Sequence, residues 1–214
     1  MKVISVNVGL PQEIEWNGKI ISTGIYKEPV DGPISLKKLN LEGDGQADLT
    51  VHGGPNMAVY VYSANHYEFW KKQLPSHELN WGAFGENLTV EGCSDDEVCI
   101  GDRFRMGTAE VQVTQPRVPC FKLGIRFGDQ GMVKQFMNSG RFGFYLRVLK
   151  EGAIQADDGI EKISQDSAQV AVSDIMMAYQ NPDMKDLMQK IITVKALPKS
   201  WREHFEKLLA TEKA

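Results

Sequence analysis

Residues 101–123 read GDRFRMGTAEVQVTQPRVPCFKL, two short strand candidates followed by a loop that cannot continue them. The candidates are Arg103–Met106 and Val111–Thr114, and Gly107 marks a turn between them. Pro116 and Pro119 lack the backbone N–H that a β-ladder needs, so the second strand must end there. The stretch therefore predicts β structure with tight turns that ends in a rigid loop.

Other short segments of β-branched and aromatic residues extend this pattern over residues 1–165. The further strand candidates are Val3–Val8, Met57–Tyr62, Asn87–Val90 and Phe142–Leu149, together with a hairpin of Glu13–Trp16 and Lys19–Tyr26. Two helices, Ala64–Leu74 and Gln130–Ser139, interrupt them. Many short strands with frequent glycine turns favour a barrel or a sandwich.

The last part of the chain changes from strand to helix periodicity. Helices are predicted over Val172–Tyr179, Asp183–Val194 and Pro198–Leu209, each with apolar residues on one side. Three short helices in succession indicate a small bundle packed on the β structure. We expect two domains, a β domain over residues 1–165 and a three-helix domain over residues 166–214.

Composition and charge bound the classes of partner. The 214 residues carry a net charge of −4, which gives no bulk attraction to nucleic acid or to an anionic membrane. The run Val3–Val8 is too short for the core of a signal peptide, and no apolar stretch approaches the roughly 20 residues that span a bilayer. We expect a cytoplasmic protein, with monomer and homodimer both left open.

Three cysteines are present, and the pattern around them differs. Their odd number and spacing argue against a disulfide framework and against a structural zinc site. Cys120 ends the proline loop close to Arg117 and Lys122, and neighbouring cations favour the thiolate, which is both nucleophile and metal ligand. Cys93 and Cys99 flank acidic residues, which favour the thiol. A buried Cys120 with its cations facing solvent is the alternative.

Two further segments carry polar groups beside glycines. In the first, Gly53 and Gly54 can expose backbone N–H groups to a phosphate or an oxo group, and the adjacent His52 can shuttle a proton. In the second, Glu86 and Asn87 offer an acceptor and an amide donor. The alternative for the first segment is a plain surface turn with a solvated histidine.

Taken together, these segments resemble the MOSC family, named for the C-terminal domain of molybdenum cofactor sulfurase, and in particular its YiiM-like bacterial branch. Each segment alone is weak, whereas five in the family's order are specific. They are Leu41–Gln46, His52–Asn56, Phe84–Leu88, Gly101–Gly107 and Gln115–Leu123. Residues 167–209 resemble the three-helix domain that follows the barrel in this branch, so the resemblance covers nearly the whole chain. Phe121 stands where family members can carry Tyr.

The resemblance implies a mainly β fold with α elements, a closed β-barrel of the pyruvate-kinase type followed by the three-helix bundle. It implies that Cys120 ligates molybdenum in a molybdenum–pterin cofactor, or carries sulfur. His52 and Glu86 are the expected proton donors for catalysis. The expected cofactor-binding residues are Gly53, Gly54, Asn56, Gly85, Asn87, Arg117 and Lys122.

The activity that the resemblance implies is reduction of N-hydroxylated compounds such as N-hydroxylaminopurines. Electrons are expected from a separate reductase, because the chain shows no flavin or nicotinamide site. Pyridoxal phosphate chemistry is not expected, because the aminotransferase domain of the cofactor sulfurases does not precede this one. Two alternatives stay open: a sulfur carrier or cofactor-binding protein with a persulfide on Cys120, and a hydrolase using Cys120 and His52, for which the sequence identifies no orienting third group.

Overall fold

The computed structural model describes residues 1–50 and 52–210. Its strands are β1 (Lys2–Val8), β2 (Gln12–Trp16), β3 (Lys19–Thr23), β4 (Glu28–Val30), β5 (Ile34–Leu36), β6 (Val59–Ser63), β7 (Leu88–Glu91), β8 (Arg103–Met106), β9 (Ala109–Pro116), β10 (Phe144–Lys150), β11 (Gly152–Ile154) and β12 (Ile160–Ser164). Its helices are α1 (Ala64–Gln73), α2 (Phe121–Phe127), α3 (Gly131–Ser139), α4 (Val172–Gln180), α5 (Lys185–Ile192) and α6 (Lys199–Ala210). A short 3₁₀ helix covers Pro55–Met57.

Eight strands form the main sheet in the order β12-β8-β9-β10-β6-β7-β1-β4. Neighbouring strands are antiparallel except β6 and β7, which are parallel. Parallel neighbours need a crossover connection, and α1 with the loop that follows it supplies one. This crossover brings residues 84–87 back to the start of β7, beside the end of β9 that leads to Cys120.

The closed barrel expected from the resemblance is not found among the described residues. Closure needs a continuous ladder between the two terminal strands, and no such ladder joins β12 to β4. One edge of β1 pairs with β7, and the other is divided between β4 and a turn before β12. That turn contributes one bridge, Lys2 to Gly159, and backbone bonds such as Val3 N–H to the Asp158 carbonyl at 3.0 Å. The fold is therefore mixed α/β, with a large open sheet and six helices in the described chain.

The three C-terminal helices begin and end within about two residues of their predicted limits, as expected for boundaries read from periodicity. They share a hydrophobic cluster with the sheet: Val172, Ile175, Met188, Ile191 and Phe205 pack with residues of β1, β6, β7, β9 and β10. One continuous core joins the two parts of the described chain. The division into two domains stays a prediction. No described helix is long and apolar enough to cross a membrane.

Several elements differ from the predicted pattern, among them the short strands β4, β5, β11 and β12, which were not predicted. The strand predicted to reach Tyr26 ends at Thr23, because the next residue, Gly24, passes so close to the Gly45 carbonyl that a Cβ there would lie 2.4 Å from its oxygen. Helix α2 was not predicted. Its seven residues include Gly124, which disfavours helix, and it stops at Gly128 in the left-handed conformation.

Removing the buried Phe205 ring tests whether the helices and the sheet form one folding unit. Phe205 is fully buried in the shared cluster, so Phe205→Ala is expected to lower the free energy of unfolding by about 3–5 kcal/mol. Chemical denaturation followed by far-UV circular dichroism and by tryptophan fluorescence should give one coincident transition. Met177→Ala, at an exposed position of α4, is the control and should change little. Two separated transitions would contradict a shared core.

Candidate functional site

One cavity collects loops from distant parts of the sequence. Its walls come from residues 23–25, 44–47, 52–53, 84–85 and 117–118 and from Lys27, Met57, Asn87, Cys120 and Lys122, with side chains from β6 and β10 completing it. The cavity has a volume of about 110 Å³ and is open on one side. Cys120 lies in its wall and is partly exposed. The alternative of a Cys120 sealed in the core is therefore wrong.

The Cys120 thiol is set up to ionise near neutral pH. Burial is the largest influence and opposes ionisation, but three favourable contacts outweigh it. The His52 side chain and the backbone N–H of Lys122 hydrogen-bond the sulfur, and the positive charge of Arg117 acts on it from nearby. Together they lower the pKa of Cys120 from 9.0 to about 7. A thiolate is the reactive and metal-ligating form of cysteine.

Arg117 places a buried cation in the same cavity. The residue is 5% exposed, and its guanidinium lies 4.6 Å from the centre of the Phe136 ring and 5.3 Å from that of Tyr60. Nη2 donates to the Phe84 carbonyl at 3.4 Å, whereas Nη1 is buried and has no hydrogen-bond partner among the described residues. A buried, unpaired cationic donor is costly unless an anion joins it. The cavity is therefore suited to an anionic ligand.

A second cation in the cavity, Lys27, is already paired. Its ammonium donates to Asp44, which also accepts from Asn87 Nδ2 at 2.9 Å and from the Gly9 N–H at 3.0 Å. Burial lowers the pKa of Lys27, and the adjacent Asp44 carboxylate opposes that shift. Sequence reasoning missed Lys27, because nothing around it in the chain indicates a partner; only the fold brings it to Asp44.

Two tyrosines of the sheet also line the cavity, Tyr60 on β6 and Tyr145 on β10. The Tyr60 hydroxyl donates to the Phe142 carbonyl at 2.8 Å. Burial raises the pKa of Tyr145 and the nearby Arg117 charge opposes it, so this phenol keeps its proton at neutral pH. Both tyrosines read as ordinary strand residues in the sequence, because the alternation of a strand does not show which face meets a cavity.

The fold brings most of the predicted site residues together. Cys120, His52, Arg117 and Lys122 all line the cavity, and so do three predicted cofactor-binding positions: Gly53, Gly85 and Asn87. The buried amide of Asn87 donates to Asp44, and its Oδ1 accepts from the Tyr60 N–H at 3.0 Å. Asn87 thus acts as a brace between two walls, with its polar atoms already engaged.

Glu86 does not fit the predicted role of proton donor. It is fully buried outside the cavity lining. Its carboxylate accepts from the Tyr67 hydroxyl, from the backbone N–H groups of Gly82 and Phe84 at 2.9 and 3.1 Å, and from the Thr89 hydroxyl at 2.9 Å. Both oxygens are occupied by the turn that precedes β7. A motif in the sequence does not show which way a side chain points, and the catalytic role of Glu86 stays a prediction.

Two other predicted positions, Gly54 and Asn56, lie outside the cavity lining. Gly54 has a φ of 77° and precedes the short 3₁₀ helix, so glycine serves the backbone turn there. Asn56 Oδ1 accepts from Arg147 Nη2 at 2.7 Å, and its carbonyl accepts from the Thr114 hydroxyl at 2.7 Å. These residues anchor the loop that carries His52, and their part in cofactor binding stays a prediction.

The pKa of Cys120 gives a direct prediction. Its alkylation by iodoacetamide is expected to rise with pH with a midpoint near 7, and the midpoint should increase in His52→Ala, because the hydrogen bond that favours the thiolate is lost. Peptide mass spectrometry over pH 5–10 measures the rate at each cysteine. Cys93 is the internal control and should stay unmodified, since burial raises its pKa to about 12. A wild-type midpoint near 9, or one indifferent to His52, would contradict this electrostatic arrangement.

Comparison with known proteins places this cavity in a family. The MOSC domain family matches residues 48–161. Protein YflK of Bacillus subtilis is 46% identical over 207 residues, covering 96% of this chain and 93% of that protein. The crystal structure of YiiM from Geobacillus stearothermophilus has a TM-score of 0.82 at 32% identity, covering 98% of this chain and 99% of that one.

A protein of Gibberella moniliformis named Reductase is 38% identical over 151 residues. The match covers 69% of this chain but 27% of that longer protein. The family match and the full-length likeness to YiiM agree with the order of segments read from the sequence. The chain is therefore a member of the MOSC domain family, on its YiiM-like branch.

Proposed function

We propose that this protein is a molybdenum–pterin-dependent reductase of N-hydroxylated compounds. One observation carries the proposal: the thiol of Cys120, with a pKa of about 7, shares a cavity with Arg117, whose buried Nη1 has no hydrogen-bond partner among the described residues. A metal cofactor with a phosphate group needs a soft thiolate to ligate the metal and a nearby cation to bind the phosphate.

The cavity residues fit such a group by charge and by ligand type. Among the described residues, no group of three or more His, Cys, Asp and Glu side chains is arranged to hold a bare metal ion. A metal at Cys120 must therefore arrive with ligands of its own, as it does in a pterin dithiolene. Cys120 would be the protein ligand, and Arg117, Lys122 and the N–H of Gly53 would hold the phosphate. Because Lys27 is already paired with Asp44, we assign it to the wall of the cavity and not to the binding of the phosphate.

Reduction of an N-hydroxyl group consumes two electrons and two protons and releases the amine and water. When bound, the cofactor supplies the electrons, which a separate reductase must replace. The chain has to supply the protons and exclude competing reactions. His52 meets the first need, because it lines the cavity and hydrogen-bonds the sulfur of Cys120. Glu86 is withdrawn from this role by its four hydrogen bonds.

The relatives support a reductive role. A relative that carries the name Reductase matches 69% of this chain, and the MOSC match spans the loops from His52 to Cys120. Neither comparison defines the substrate. The substrate class is proposed from the chemistry of the cavity and from the resemblance of the motifs.

Removing the thiol is the first test. Cys120→Ala should abolish molybdenum binding in cells with intact cofactor synthesis, and reduction of 6-hydroxylaminopurine should fall at least 100-fold, as expected when a residue essential to the site is lost. Metal analysis and an amine-release assay measure the two effects. Cys99→Ala removes a thiol outside the cavity and is the matched control. Retention of both metal and activity in Cys120→Ala would refute the proposal.

A second pair of variants separates His52 from Glu86. His52→Gln is expected to lower kcat about 100-fold, the usual contribution of a general acid. Glu86→Gln should instead lower the midpoint of thermal unfolding, because a buried acceptor of four hydrogen bonds is weakened, with kcat of the folded protein within a few-fold of wild type. The reverse pattern would restore Glu86 as the proton donor.

A sulfur carrier is the second candidate, favoured by a low-pKa thiol that belongs to no group of three or more metal-ligating side chains among the described residues. Mass spectrometry of the intact protein separates the two: an extra sulfur on Cys120 without molybdenum identifies the carrier. The hydrolase alternative gains no support. Asp48 is close enough to His52 for its pKa to be lowered by that residue, but its Oδ1 accepts hydrogen bonds from the backbone and side chain of Thr50 instead.

A further inference from the structure

A second groove adjoins the Cys120 cavity. It is formed by Val118 from the proline loop, Tyr179 from α4, and Ser200, Trp201 and His204 from α6, and has a volume of about 210 Å³. Val118 lines both spaces, so the two share a wall two residues from the reactive sulfur. The helical part of the chain thereby contributes directly to the surroundings of the site. We call this space the aromatic groove.

Three of the five residues that line the aromatic groove carry aromatic rings: Tyr179, Trp201 and His204. The Tyr179 ring lies 5.4 Å from that of Trp201 and 5.2 Å from that of His204, at interplanar angles of 66° and 41°. None of the five lining residues is an acid, a lysine or an arginine. Tyr179 is 37% exposed and Val118 is 40% exposed. An exposed aromatic ring such as that of Tyr179 can bind planar rings by stacking, which leaves the choice of ring permissive.

We propose that the aromatic groove binds the planar heteroaromatic ring of the substrate, leaving its N-hydroxyl group to extend past Val118 into the Cys120 cavity. The inference rests on the proposed function and names the part of the protein that selects the substrate. Three features favour a small planar ligand over a protein partner: the groove is small, it adjoins the site at Val118, and its lining carries no charge that would orient a protein. In this arrangement the C-terminal helices are a specificity element.

Binding to cofactor-free protein tests the groove independently of activity. Adenine is the probe, because it carries a planar purine and has no N-hydroxyl group. Calorimetry should detect binding to wild type and to Cys120→Ala alike. In Tyr179→Ala the affinity should fall about 5- to 100-fold, the range for loss of one stacking aromatic. Ser200→Tyr, which fills the groove and removes no core atom, should weaken binding as well, and Met177→Ala, on the same helix but outside the groove, should not.

Two results of the binding experiment would overturn the proposal. One is the absence of adenine binding to wild type at millimolar concentrations. The other is binding that is lost in Cys120→Ala and kept in Tyr179→Ala and Ser200→Tyr, which would place the ring in the Cys120 cavity. Because these measurements use protein without cofactor, they stand whether or not the reductase activity is found.

Kinetics of the loaded protein provide the second arm. Tyr179→Ala should raise KM for 6-hydroxylaminopurine about 5- to 100-fold with kcat nearly unchanged. For N-hydroxyurea, which has no ring, the same variant should match wild type. Equal losses on both substrates would mean that Tyr179 only supports the fold, and would overturn the proposal. If the loaded wild-type protein shows no reductase activity, the proposed function is refuted. The binding experiment then decides whether the aromatic groove binds the ring.

Discussion

The hydrogen bond between His52 and the sulfur of Cys120 is the interaction on which the rest of the site depends. A half-buried thiol ordinarily stays protonated, because burial disfavours charge. Here the imidazole, the Lys122 N–H and the Arg117 cation together reverse that preference. The site is thus an electrostatic arrangement built around one sulfur. Arg117 and Lys122 flank Cys120 in its own segment, whereas His52 comes from a loop that is distant in the sequence.

The sheet holds that arrangement in place. Strand β9 ends at Pro116, and the next N–H, that of Arg117, donates to the Gly143 carbonyl at 3.1 Å, so the loop to Cys120 starts from a fixed point beside β10. On the other side of the cavity, Arg147 Nη2 donates to Asn56 Oδ1 and also to the Ala196 carbonyl at 2.9 Å. Ala196 precedes α6, so one guanidinium ties the His52 loop to the helical part. Hydrogen bonds therefore link the C-terminal helices, the sheet and the loops of the site.

The sequence foretold the local features and missed those that depend on distant contacts. The proline loop, the strands around it and the three C-terminal helices follow from periodicity and from backbone chemistry near each residue, and they agree with the structure within a few residues. The open sheet was not foreseen, because closure is decided by how the edge of β1 is shared between two partners. The Glu86 side chain, expected in the site, lies outside the cavity lining, and Lys27, Tyr60 and Tyr145 were overlooked, since the direction of a side chain relative to a cavity is fixed only by the fold.

The central claim is that the Cys120 thiolate binds the metal of the cofactor. Molybdenum K-edge X-ray absorption of the loaded wild-type protein and of Cys120→Ser, reconstituted with excess cofactor, tests it most directly because it counts sulfur neighbours at the metal. The account predicts one sulfur fewer per molybdenum in the variant, or a variant that retains no molybdenum. Equal sulfur coordination in the two proteins would contradict it.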